Sequence, residues 1–378
     1  MEPEQVSADA IRDAIRLESL TLSGFRNLGP LTFEPGPRFN VIFGDNGAGK
    51  SNLLEAVTYL ATLGSFRDAK KEDMVALNAP RALMRAKVSG RPLSREYKIA
   101  LERESARVVT VDGKRPSSLG SYYEGIQLVL FHPGHVDLMA GGPEPRRAFL
   151  DRVLEQVDAS YARSVADYGK ALRSRNRLLK QEQIDVRSIR AYDPILAELG
   201  ARIGQARAKL VAELKPLTEG FFAEITEHAL PLEMTYAARH RPDEQALREA
   251  LAQSFEKDRA RGFTGVGPHG DDLRVGVEKS LVKHLASQGQ HRALVLSLKV
   301  SELFVLARRT GRMPLFVLDD VSSELDRSRN SRFFRLLSRL GAQVFLSTTH
   351  REFILLESDE PQVRVDFQME RGELKRVG

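Results

Sequence analysis

Between Asn40 and Glu55 the chain reads N-V-I-F-G-D-N-G-A-G-K-S-N-L-L-E. An apolar strand (Val41, Ile42, Phe43) runs into a glycine-rich turn and then a helical pattern, with Gly44, Gly49, Lys50 and Ser51 at the spacing G-x-x-x-x-G-K-[ST]. Such a loop cradles nucleotide phosphates on backbone N–H groups at a helix N-terminus. Glycines at 44, 47 and 49 leave room for that approach. Asn46, Gly47, Gly49 and Asn52 are expected to line the cradle, Lys50 to reach the β- and γ-phosphates, and Ser51 to hold Mg²⁺.

The 378 residues allow two or so domains and a large core, and 29% charged with 42% hydrophobic residues describes a globular chain. There is no cysteine, which excludes disulfides, thiolate metal sites and a Cys-x-x-Cys zinc hook. The first residues, Met1 to Gln5, are acidic and polar, unlike a signal peptide, and no apolar run is long enough to span a bilayer. A cytoplasmic protein with no membrane partner is expected. A net charge of +6 suits a polyanionic partner without identifying one.

Loose alternation predicts a strand over 15–22, further β-like runs lie over 31–33, 82–88, 96–101 and 108–111, a short apolar strand is expected over 126–131, and a helix is expected from Ser51 to about Leu63. From Pro145 to about Phe255 Ala, Leu, Arg, Glu and Gln dominate, which predicts helices over 147–157, 159–181 and 194–228. The second is basic (Arg163, Lys170, Arg173, Arg175, Arg177, Lys180), as either a solvated face or a DNA-binding one would be. A strand over 272–277, a helix over 291–309, the strand Leu315–Leu318, a helix over 326–340 and a strand over 344–346 complete the pattern. The fold class that follows is α/β, with a mostly helical lobe inserted. Its expected bounds are 1–135 for the first part of the nucleotide-binding lobe, 136–304 for the insert and 305–378 for the remainder.

The strand Leu315–Leu318 ends in Asp319 and Asp320. A buried parallel strand delivers such carboxylates to the crevice where ligands sit. Asp319 is then expected to hold Mg²⁺, and Asp320 to orient or deprotonate the attacking water. Ser287-Gln288-Gly289-Gln290 opens the 291–309 helix and makes a second anion site. One chain needs one phosphate cradle, so a second suggests ATP sandwiched between two chains. In such a dimer Asp326 would touch the partner's site and His350 would sense the γ-phosphate.

These stretches (G-D-N-G-A-G-K-S-N-L-L-E-A, S-Q-G-Q-H-R, F-V-L-D-D-V-S-S-E-L-D) resemble the Walker A, signature, and Walker B plus D-loop motifs of ABC-type ATPases. More narrowly the chain resembles the RecF family of bacterial DNA-repair and recombination ATPases, through G-F-R-N-L at 24–28, G-S-F-R at 64–67, G-G-P-E-P-R-R-A-F-L-D at 141–151 and T-G-V-G-P-H-G-D-D-L at 264–273. The resemblance implies an SMC-like ATPase head with a P-loop and a helical insert, weak DNA-stimulated ATP hydrolysis and an ATP-dependent homodimer. It implies preference for double-stranded DNA and its junctions with single strands, and work with RecR and RecO to place RecA at gaps. Ser287, Gly289 and Gln290 would contact ATP across the dimer, Asp326 would lie in the D-loop, and His350 matches the switch histidine. There are departures. Asp320 stands where ABC ATPases carry Glu, Phe131-His132-Pro133 where an interlobe Gln is expected, and Gly270 where relatives read Arg after His269. The alternatives are the head of another SMC-like ATPase or, further off, a transporter nucleotide-binding subunit. The former carries hundreds of coiled-coil residues where this chain has about 235 between Ser51 and Ser287. The latter carries Leu-Ser-Gly-Gly-Gln, which this chain lacks.

Overall fold

A computed structural model of the chain describes residues 13–90, 93–183, 185–227, 232–277, 280–281, 288–321, 326–354, 356 and 363–377. It divides into two compact units, one of Met1–Val136, Gly220–Ala229 and Ala286–Gly378, the other of Asp137–Glu219 and Leu230–Leu285. Residues 286–304, assigned to the insert on sequence grounds, group with the first unit. The reason is burial: the helix Gln288–Thr310 is enclosed on nearly every side from Ala293 to Ala307, as a helix with few polar positions must be.

In the first unit six strands form one sheet in the spatial order Glu373–Val377, Arg364–Glu370, Phe39–Phe43, Val344–Thr348, Leu315–Leu318, Leu128–Phe131. All neighbours are parallel except the first pair, a hairpin. A second, antiparallel sheet runs Leu31–Phe33, Arg16–Ser23, Arg81–Gly90, Leu93–Glu102, Val108–Val111. Its Arg81–Gly90 strand alternates, with Ala82, Met84, Ala86 and Val88 buried and Arg81, Leu83, Arg85 and Lys87 exposed, so one face meets the core and the other does not. The helix Lys50–Thr62 shares one apolar cluster with both sheets: Leu53, Leu54, Val57 and Leu60 pack with Leu20 and Leu22 on one side and Leu315, Val317 and Phe345 on the other. The phosphate loop therefore opens a helix that is itself core.

The second unit is mainly helical, with Pro143–Glu155, Ala159–Leu179, Val186–Arg190, most of Asp193–Thr226, and Glu244–Arg261. It also contains a strand that the composition hides: Leu232–Ala237, in the mostly helical stretch where no strand is expected, pairs antiparallel with the expected strand Asp272–Val277. Its interior is polar where the T-G-V-G-P-H-G-D-D-L motif enters. Arg175, with no exposed surface, donates from Nε to Asp193 (3.0 Å) and from Nη1 to Asp258 (2.9 Å) and Thr264 Oγ1 (2.8 Å). His269 Nε2 lies 3.0 Å from the Thr264 carbonyl and Nδ1 lies 2.7 Å from the Tyr168 hydroxyl. A carbonyl only accepts, so Nε2 carries the proton and Tyr168 donates to Nδ1. Burial accordingly pulls the His269 pKa down. Above Gly270 lies the Arg239 side chain, its Cδ 3.1 Å from where a Cβ would sit, so an arginine from elsewhere occupies the space beside this departure.

Glu155 ends its helix half-buried beside Asp151, and burial first, then that like charge, push its carboxyl up to about 7. The unfolded group titrates near 4.5, so the folded chain binds the extra proton between the two values. Stability therefore falls as pH rises through that window and levels off above it. Glu155→Gln is expected to stabilise the fold at pH 8 by about 2 kcal/mol and to change it little at pH 4. Denaturant titrations at both pH values measure this, and an equal effect at the two would refute the assignment.

Candidate active site

Parallel strands bring their carboxyl ends to one edge. The register pairs Phe43 with Thr348, Leu318 with Leu346 and Leu318 with Phe131. The phosphate loop after Phe43, Asp319 after Leu318, and His350 just beyond Thr348 consequently leave the sheet on the same side.

The loop is shaped by contacts from distant chain. Gly44 has φ +150°, and a Cβ there would stand 2.2 Å from the Met369 carbonyl oxygen of the neighbouring strand. Farther along, the Gly372 N–H donates to the Ala48 carbonyl (2.8 Å), holding the loop from the hairpin turn. Lys50 Nζ donates to the carbonyls of Gly44 (2.7 Å) and Asp45 (2.9 Å), curling over the loop. Burial lowers the Lys50 pKa, and the carboxylates of Asp320, Asp319 and Asp45 pull the other way. Among the described residues no protein acceptor takes the amides of Asn46, Gly47, Gly49, Lys50 or Ser51. A cluster of unpaired N–H groups beside an ammonium, at the positive end of a buried helix, is chemically fitted to a polyphosphate.

The motifs around the loop converge on its helix. Glu55 has no exposed surface, and Arg26 of G-F-R-N clamps it with two bonds (2.8 and 2.7 Å) while Ser65 of G-S-F-R donates a third. A buried carboxylate so paired is satisfied rather than stranded. Asn52, directly after Ser51, donates to Asn27 Oδ1 (2.6 Å) and accepts from Arg67 (2.9 Å). The stretches G-F-R-N-L and G-S-F-R stand out in the sequence through the family resemblance alone; their contacts with Glu55 and Asn52 carry no local signal.

Across the edge, Ser347 ties the acid pair. Its hydroxyl donates to Asp319 Oδ1 (2.6 Å) and accepts the Asp320 N–H (2.9 Å), and the Asp319 N–H donates to the Phe131 carbonyl (2.9 Å). Asp319 is 6% exposed, so its carboxylate is both buried and aimed. Asp320 adopts φ +52°, a left-handed conformation that Asp tolerates better than most side chains and that concentrates at functional sites. No group of three or more His, Cys, Asp or Glu suited to a metal occurs among the described residues. A Ser51 hydroxyl and an Asp319 carboxylate nevertheless fit Mg²⁺, which takes few protein oxygens and completes its shell with phosphate and water.

The remaining expectations divide. Thr348 Oγ1 bonds both backbone groups of His350 (3.0 and 3.1 Å), while the imidazole stays 59% exposed, 3.4 Å from Glu352 and edge-on to Phe353. Asp326 caps the helix Arg327–Ser338 by accepting from the Arg329 N–H (2.9 Å), which holds its carboxyl below the usual range. Gly289 and Gln290 lie in the first turn of Gln288–Thr310, and Ser287 lies outside the described residues. In place of the interlobe Gln, His132 stacks against Phe66 and lies 4.0 Å, ring to ring, from His135. Of the six basic residues on Ala159–Leu179 and its cap, Arg175 is buried in the ion-pair network, whereas Arg163, Lys170, Arg173, Arg177 and Lys180 are exposed.

Residues 16–372 match the RecF/RecN/SMC N terminal domain. The DNA replication and repair protein RecF of Myxococcus xanthus (strain DK1622) is 40% identical over 349 residues, covering 89% of this chain and 91% of that one. The chain belongs to the RecF family. It superimposes on the solved structure of the recombination mediator protein RecF-ATP in the RecFOR pathway with a TM-score of 0.87, at 30% identity, covering 97% of this chain and 98% of that one. An Smc head domain from Pyrococcus furiosus shares the fold at TM-score 0.58 and 14% identity, over 96% of each chain. The RecF fold is thus an SMC-like ATPase head, and the bacterial repair role names the class. No helix among the described residues is long and apolar enough to cross a membrane.

Proposed function

We propose that this chain binds ATP with Mg²⁺, dimerises on it, and uses slow hydrolysis to hold and release DNA during recombinational repair in the cytoplasm. The observation that carries the reading is the meeting, at one sheet edge, of the unpaired loop amides and Lys50 with the pinned Asp319–Asp320 pair. Asn46, Gly47, Gly49 and Asn52 line the phosphates, Lys50 bridges the β- and γ-phosphates, and Ser51 and Asp319 hold the metal. Mg²⁺, when bound, neutralises charge on the phosphate oxygens. Asp320 orients the attacking water; one methylene shorter than Glu, it fits slow turnover. Ser287, Gly289, Gln290 and Asp326 face the partner's nucleotide, and His350 follows the γ-phosphate, its exposure leaving room for that contact.

The exposed cations of Ala159–Leu179 supply a surface for DNA phosphates, on duplex or at its junction with a single strand. A similar protein is a recombination mediator of the RecFOR pathway, which supports RecR and RecO as partners; RecA would be the protein placed at gaps.

Sedimentation of the chain with ATP, Mg²⁺ and a gapped duplex tests the switch. Asp320→Asn should trap a DNA-bound dimer that the unsubstituted chain forms only transiently. A monomer that ignores DNA under all these conditions would overturn the reading.

A further inference from the structure

The loop at Gly262–Thr264 presents an aromatic ring to solvent from a fixed backbone. Phe263 is 47% exposed. On one side Gly262 caps the helix Glu244–Arg261 at φ +73°, and the Phe263 N–H itself donates to the Asp258 carbonyl (3.2 Å). On the other, the Thr264 N–H and hydroxyl both donate to Asn176 Oδ1 (2.8 and 2.7 Å), Arg175 donates to the Thr264 hydroxyl (2.8 Å), and the Gly265 N–H donates to Asp258 (3.0 Å). A ring on so constrained a turn loses little freedom when something covers it.

The neighbours are cations. Thr264 is bonded to position 176, and the Lys180 stem lies 3.4 Å from where a Gly262 Cβ would stand, so the turn runs along the last turn of Ala159–Leu179 between Arg177 and Lys180. Arg259 and Arg261 lie in the last turn of the adjoining helix; of the carboxylates close by in sequence, Glu256 pairs with Arg259, Asp258 is buried against Arg175, and Glu182 is exposed two residues past Lys180. Part of this positive charge offsets the negative ends of two helices. That role does not account for the ring.

Fixed aromatics among cations are how proteins bind unpaired nucleotides, because every base has a face to stack while the cations track the phosphates. A duplex hides those faces, so the ring has no use for one. We infer that Phe263, on a turn that runs beside Arg177 and Lys180 and directly follows Arg261, stacks on an unpaired base and gives the second unit a binding site for single-stranded DNA. The inference rests on the DNA-binding function proposed above and assigns the strand to a site.

The chain contains no tryptophan, so Phe263→Trp introduces a single reporter. Labelled oligo(dT) and a labelled blunt duplex are titrated against the full chain and its variants. Phe263→Ala is expected to weaken oligo(dT) binding by about tenfold and duplex binding by less than about twofold. Phe263→Trp should retain both affinities, with its emission quenched by oligo(dT) and not by the duplex. Equal losses on the two ligands, no loss on either, or unquenched emission would each overturn the stacking site, and the last two would do so with duplex binding intact. If the unsubstituted chain binds neither ligand, the DNA-binding function fails first.

Discussion

Lys50→Met is expected to remove ATP binding. Among the described residues the ammonium is the side-chain cation placed on the loop itself, where it curls onto the Gly44 and Asp45 carbonyls and senses three carboxylates. Methionine keeps the length and apolar stem but removes the side-chain cation that offsets phosphate charge beside Asp45, Asp319 and Asp320. Breaking a partly buried ion pair by deleting one partner costs about 3–5 kcal/mol, which is a hundredfold or more in affinity. Methionine suits the apolar surroundings of the helix, so melting should change little. Titration with a fluorescent ATP analogue reads the affinity directly, and a value near that of the unsubstituted chain would sink the phosphate-loop assignment.

Arg175→Met is the counterpart in the second unit, with its expected effect on stability. The substitution strands Asp258, 2% exposed at the side chain, and weakens the hold on Asp193, whose pKa burial already raises against the pull of Arg175. A loss of about 3–5 kcal/mol is expected, lowering the melting temperature of this unit by about 10 °C. Adding Asp258→Asn should recover part of the loss, because the amide oxygen can still accept from the Gly265 N–H while carrying no charge. Calorimetry of the single and double variants decides. A single variant that melts within a degree or so of the parent would mean that water reaches the cluster.

The same arginine shows what sequence can and cannot reveal. Its spacing on the helix is that of the exposed cations, yet it points inward, because its partners at 193, 258 and 264 come from segments with no local pattern linking them. Where one short window holds all the information the reading was sound: loop, strand and helix from Asn40 to Thr62, and Leu315–Leu318 with its acids, lie where their patterns put them. The pieces that aim those groups were invisible for the opposite reason. Ser347 meets Asp319 only through sheet register, and Glu55 meets Arg26 only because helix and turn are packed together. Leu232–Ala237 is six residues long and finds its partner 35 residues on, so helix-rich composition masked it. The hairpin of Arg364–Glu370 and Glu373–Val377 turns on Arg371 and Gly372, both at positive φ, without the Asn-Gly or Asp-Gly pair that advertises such a turn.

That hairpin sets a timetable. Residues 44–49 take their shape from the Met369 carbonyl and the Gly372 N–H, more than 300 residues later in the chain. During synthesis the phosphate loop leaves the ribosome early and is expected to wait for these two contacts until residue 372 has been made. Contacts of such sequence separation also close slowly in refolding. Nascent chains that stall in the second unit therefore carry the phosphate-loop sequence without the two late contacts that hold its shape.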